Sequence, residues 1–125
     1  MNSINSSGLY VVTLNNIKPI SVNSHDKRIA DKCIKVTKNN CKFGKANNFH
    51  IRRNNYFKTF GEENVNFHPI ATINTELLST VEKLVLQKLD SYRLRGLSGR
   101  KTEWLKSISL KKIKDIALDV LKNNS

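Results

Sequence analysis

Apolar residues recur along this chain with two periods, and the switches between them mark its elements. Gly8 to Leu14 is a β-branched and aromatic run with almost no charge, the composition of a buried strand, and Asn15-Asn16 ends it. Residues 15–40 form a long connection. Pro19 interrupts it, Ser24 is placed to cap a short helix carrying Ile29, Cys33 and Ile34 on one side, Ile34 to Val36 offers a strand, and Asn39-Asn40 a turn. Cys41 to Lys45 predicts a second strand, a natural partner for the first. Asn47 to about Lys58 predicts a short helix, and Gly61-Glu62-Glu63-Asn64 a polar loop. Val65 to Ile73 is a third strand, in which Pro69 predicts an edge position or an irregularity. Asn74 or Thr75 caps the best helix, Glu76 to about Tyr92, with Leu77, Leu78, Val81, Leu84, Val85 and Leu89 in one stripe. Arg93 to Arg100 reads as a basic loop. A last helix starts near Ser107 or Ser109 and buries Leu110, Ile113, Ile116, Ala117, Val120 and Leu121. The order β, loop, β, α, β, α, α is that of an α/β chain without internal repeats.

Length and charge narrow this picture. The 125 residues suit one domain with its own core, at 8–125, behind a flexible polar tail at 1–7. A formal charge of 22 minus 10, or +12, favours a polyanionic partner such as DNA, RNA or an anionic membrane surface. No apolar run approaches the roughly 20 residues that span a bilayer, and the first residues do not form a signal, so a soluble intracellular protein without membrane partners is expected. Cys33 and Cys41 then read as reduced thiols. His25, Cys33, Cys41 and His50 lack the close pair that structural zinc sites use.

Candidate chemistry gathers at a few positions. Lys42-Phe43-Gly44-Lys45 ends a strand on a glycine ahead of a basic helix, a junction that presents cations and backbone N–H groups to a phosphate. Arg52 lies one helical turn before Tyr56. With Arg53 it either grips a phosphate or forms a solvated helix face. At about 100° per residue, Glu82 projects into the apolar sector of its helix, between Leu89 and Leu86 and near Leu78. A carboxylate there needs compensation: it is either a divalent-metal ligand or one half of a salt bridge. Tyr10 is either a core residue or a phenol facing a cleft, where it acts as a base only with help from nearby charge, because its ordinary pKa is about 10. Trp104 is expected to anchor the last helix, and His25, His50 and His68 are isolated.

In this order the positions resemble the GIY-YIG nuclease superfamily, in particular its small phage-type branch. Gly8-Leu9-Tyr10 is similar to the first tripeptide, and Lys42-Phe43-Gly44 stands where the second belongs, with lysine in place of tyrosine. Arg52 and Tyr56 match the Arg and Tyr of the following helix, Glu82 the helical metal-binding Glu, and Glu103-Trp104 a dipeptide common in the branch. The resemblance implies a small three-stranded central sheet flanked by helices and a divalent-metal-dependent DNA endonuclease. In that reading Glu82 holds Mg²⁺ or Mn²⁺, Tyr10 activates water, Arg52 and Lys42 stabilise transition-state charge, and Tyr56 hydrogen-bonds the phosphate or the leaving oxygen. Lys45 and Arg53 are expected to bind nucleic acid. The partner implied is double-stranded DNA, with specificity supplied by a protein partner or by residues 15–40, and the location is the cytoplasm or nucleoid, of an infected host if the chain is phage-encoded. The alternative is a catalytically inactive basic nucleic-acid-binding protein of the same fold, which Lys42 favours.

Overall fold

The uncharged run at Gly8–Leu14 becomes an internal strand of a sheet covered on both faces, which explains why it has no polar side to show water. The computed structural model describes residues 6–22, 34–96 and 99–124. Its elements are β1 (Gly8–Leu14), β2 (Ile20–Ser21), β3 (Lys35–Val36), β4 (Asn40–Ala46), α1 (Phe49–Phe60), β5 (Val65–Thr72), α2 (Thr75–Lys88), β6 (Arg93–Arg95), β7 (Lys101–Lys106) and α3 (Leu110–Asn123). The main sheet is antiparallel and five-stranded, in the order β5-β1-β4-β7-β6. The expectation of three strands is therefore corrected. The trio β5-β1-β4 is present, but β7 and β6 extend it beyond β4.

Those two strands come from the stretch that reads as a basic loop. Its arginines serve as hydrogen-bond donors within a hairpin: Arg93 Nε donates to the Thr102 carbonyl at 2.8 Å, and Arg95 to the Gly99 carbonyl at 2.8 Å. Gly99 turns the chain at φ 80°. Lys101 and Arg93 both pair with Asp90. Pro69 lies on the edge strand β5 and at a register shift, where Leu9 pairs with Ala71 and Tyr10 with Pro69, so no ladder hydrogen bond is demanded of its missing N–H.

The sheet divides the core. Leu9, Val11, Phe43 and Leu105 pack on α2 and α3 through Leu78, Val81, Val85, Leu89, Ile113, Ala117 and Val120. Tyr10, Val12 and Trp104 pack on α1 through Phe49, Tyr56 and Phe60. Trp104 thus belongs to β7 and to the α1 face, not to the last helix as expected. The reason is that β7 is an internal strand, so Trp104 and Leu105, adjacent in sequence, are buried on opposite faces. Each helix starts on a side-chain cap: Asn48 accepts from the Ile51 N–H, Asn74 from the Glu76 N–H and Ser109 from the Lys112 N–H. The helix expected to run to Tyr92 ends at Lys88 and passes into a 3₁₀ turn at Asp90–Tyr92.

Within the long connection, β2 and β3 pair with each other. Asn16 ties them to the sheet by donating to the carbonyls of Lys18 at 2.8 Å and Val36 at 3.0 Å. The helix expected after Ser24, with Ile29 and Cys33, lies outside the described residues, as does the start of the tail. Ser6 and Ser7 already bond to the domain, their carbonyls accepting from Phe49 and Ile73. Among the described residues no helix is long and apolar enough to cross a membrane.

Candidate functional site

Two glycines let the site assemble. Tyr10 in β1 lies opposite Gly44 in β4, and a Cβ on Gly44 would stand 2.6 Å from the Tyr10 hydroxyl. A Cβ on Gly8 would stand 1.9 Å from the Ala71 carbonyl oxygen. The glycine of each tripeptide is thus required by close packing at this end of the sheet, not by a special backbone angle. Tyr10 has no exposed surface. Its ring stacks on Phe67 with centroids 4.8 Å apart, and its hydroxyl meets that of Tyr56 from α1 at 2.6 Å.

The cations lie beside this phenol pair. Lys42 Nζ stands 5.7 Å from the centroid of the Tyr56 ring. Lys42, Arg52, Asn55, Tyr56, Thr59 and Trp104 line a cavity of about 190 Å³. Burial raises the Tyr10 pKa well above its ordinary value, and Tyr56 adds to the rise, while Lys42 and Arg52 pull against it. Burial also raises Tyr56, against its hydrogen bond with Tyr10 and the charge of Arg52. Both phenols therefore carry their protons at neutral pH, and one hydroxyl donates to the other.

Glu82 is 8% exposed and stands on α2 among the buried Leu78, Val81, Val85 and Leu86. Its pKa is raised from 4.5 to about 7, by burial first and then by the carboxyl of Glu103, against the pull of Lys45 and Lys42. Glu103 arrives because the β4–β7 ladder ends at the Lys42–Trp104 pair, so the residue before Trp104 sits where the two strands separate. Its carboxylate is 3.2 Å from Lys42 Nζ and near enough to Glu82 to raise that group's pKa, while Lys45 Nζ is 3.8 Å from Glu82. The four side chains form a row of alternating duty, Lys45, Glu82, Glu103, Lys42. Glu82 is thus both buried and loosely ion-paired.

Tyr10, Lys42, Arg52 and Tyr56 gather on the α1 side of the sheet, whereas Glu82, on α2 across the sheet, is connected to them through Glu103 and its ion pair with Lys42. Lys45 joins through Glu82 and also donates to Ser79 Oγ at 2.7 Å, on the α2 side of the sheet. Arg53 does not join: it stands over the Phe57 ring at 5.4 Å, bonds to His50 at 3.3 Å and does not line the cavity. Glu103 is the residue that sequence reasoning passed over as a site member. Only its place in the Glu-Trp dipeptide marks it in the sequence.

Among the described residues no group of three or more His, Cys, Asp and Glu side chains could hold a metal. The donors on offer are the two carboxylates Glu82 and Glu103. They fit a hard cation of the Mg²⁺ type, which prefers oxygen and is commonly held by one or two carboxylates with water and phosphate filling the other positions. No protein-family model, curated protein or solved structure matches the chain.

Proposed function

We propose that the protein is a divalent-metal-dependent endonuclease that hydrolyses phosphodiester bonds in double-stranded DNA. The observation that carries this reading is the gathering of a phenol pair and two cations at a cavity lined by Lys42, Arg52 and Tyr56, with a buried carboxylate, Glu82, connected to Lys42 through Glu103.

In this reading Glu82, with Glu103, holds Mg²⁺ or Mn²⁺, and the bound ion supplies Lewis-acid polarisation of the scissile phosphate. Arg52 and Lys42 orient the phosphate from the cavity wall and offset the extra negative charge of the transition state. Tyr56 lines the cavity and would donate its hydroxyl hydrogen to the phosphate, while Tyr10, buried behind it, positions that hydroxyl through their 2.6 Å hydrogen bond. Water forms its bond to phosphorus as the bond to one bridging oxygen breaks, and that oxygen takes up a proton. Conversion of supercoiled plasmid to nicked circles in Mn²⁺, and not in chelator, is the expected result. A folded protein that binds plasmid and leaves it intact in every divalent metal would overturn the proposal.

A second reading, a catalytically inactive basic nucleic-acid-binding protein, draws on one observation. Lys42 stands where the resemblance has a tyrosine and is already engaged by Glu103 at 3.2 Å. The same plasmid assay separates the two.

A further inference from the structure

We propose that metal binding and DNA binding are coupled in this protein, and that Glu103 is the residue that couples them. In the metal-free protein Glu103 and Glu82 each hold a lysine that the DNA backbone needs. A divalent cation taken up by the two carboxylates releases both lysines to phosphate. The inference rests on the nuclease reading and adds Glu103 to its site.

Three observations carry it. The first is charge. Lys42 and Lys45 both reach the carboxylates, at 3.2 Å and 3.8 Å. With Glu82 as the sole acid, the set would total one negative and two positive charges, and a dication would be repelled. With Glu103, and with both carboxylates ionised, the set is neutral, and removing the lysines leaves two negative charges to hold the ion. The second is position. Glu103 and Glu82 each pair with a lysine of the same strand, Lys42 and Lys45 of β4, which sets the two carboxylates side by side for one small ion to meet both. The third is direction. Lys42 lines the cavity with Arg52 and Tyr56, whereas Glu103 does not. A Lys42 ammonium that leaves Glu103 therefore needs only to swing on its own flexible stem to become a third polar group for a phosphate. The Lys42–Glu103 pair is partly exposed, at 18% and 35%, so its exchange for a metal and a phosphate faces only a modest barrier in free energy.

The test is a binding experiment on the full chain. Affinity for a labelled duplex is read by fluorescence anisotropy, with and without Mg²⁺ at matched ionic strength, at low temperature and before turnover accumulates. The reference is the double variant Glu82→Gln/Glu103→Gln, which reports the general effect of Mg²⁺ on DNA. Relative to that reference, Mg²⁺ should tighten binding by the unaltered protein about tenfold. It should also steepen the log–log salt dependence by roughly 1.8, the contribution of two more neutralised phosphates. Glu103→Gln frees Lys42 without metal. It should bind DNA about tenfold more tightly than the unaltered protein in chelator, gain less from Mg²⁺, and show weaker Mg²⁺ binding by calorimetry. In a Lys42→Met background the same change should bring no gain. A Glu103 with a merely structural part would lower DNA affinity or leave it alone. DNA binding by the unaltered protein that Mg²⁺ changes no more than in the reference overturns the coupling and leaves the nuclease reading standing. Absence of DNA binding in every condition overturns both. Should Glu103→Gln fail to fold, the unaltered protein compared with and without Mg²⁺ decides the matter alone.

Discussion

Glu82 shows how much one side chain's position settles. The helical period puts it in an apolar sector, and it is indeed buried there, beside Leu78 and Leu86. Its carboxyl keeps a proton in the fold up to a pKa of about 7, against 4.5 ordinarily, chiefly because of burial and then Glu103. The sign follows: between about pH 4.5 and 7 the folded state binds the proton that the unfolded state has lost, so metal-free stability falls as pH rises through that window. The loss is about 3 kcal/mol at most. Denaturant melts of the unaltered protein and Glu82→Gln at pH 5 and pH 8 isolate it, since the stability difference between the two proteins should shift by that amount in favour of the glutamine. A difference that stays constant with pH would mean that Glu82 is ionised and fully paired. Tyr10 offers a second check. Tyr10→Phe leaves the buried Tyr56 hydroxyl without its 2.6 Å partner, costing about 1 to 3 kcal/mol in a thermal melt. Turnover should fall in the nicking assay while duplex affinity holds, because the Tyr56 hydroxyl loses the partner that positions it. Equal turnover would mean that Tyr10 has no part in positioning Tyr56.

At the level of elements, legibility depended on whether charge and pattern agreed. β1 and β5 were readable because the first carries no charge and the second carries a proline suited to an edge. The caps Asn48, Asn74 and Ser109 made the three helix starts readable to within a residue or two. The β6–β7 hairpin was not readable. Its alternate positions Arg93, Arg95, Lys101 and Glu103 are charged, and their pairing with Asp90, Lys42 and backbone carbonyls appears only once the strands meet. That miss hid the place of Trp104 and the part of Glu103 together. Trp104 packs edge-on against Phe60 at 5.5 Å and Tyr56 at 6.5 Å, so it braces the α1 wall of the cavity. Trp104→Ala should therefore destabilise the fold by about 3 to 5 kcal/mol. Had Trp104 anchored α3 instead, protection of α3 amides against hydrogen exchange would fall first. The structure predicts that protection falls first in α1.

Across the whole molecule, a sheet with helices on both faces carries the candidate residues on five elements: β1, β4, α1, α2 and β7 supply Tyr10, Lys42, Arg52 and Tyr56, Glu82, and Glu103. The order of these residues along the chain is what marks most of the candidate site in the sequence. Glu103 stayed hidden because its role depends on where a ladder ends, which no local pattern records. The net charge of +12 supplies a general attraction for nucleic acid, but attraction alone gives no reason to bury a glutamate beside a second one. Whether that buried carboxylate holds a metal separates the nuclease reading from a basic binding protein, so the most direct measurement is plasmid nicking by Glu82→Gln beside the unaltered protein in Mg²⁺ and Mn²⁺. Metal-free melts run on both would show each folded. Nicking by the unaltered protein alone, with the variant at least as stable at neutral pH, is the predicted result. Equal nicking by the two, or none by either while both remain folded and bound to DNA, would contradict the assignment.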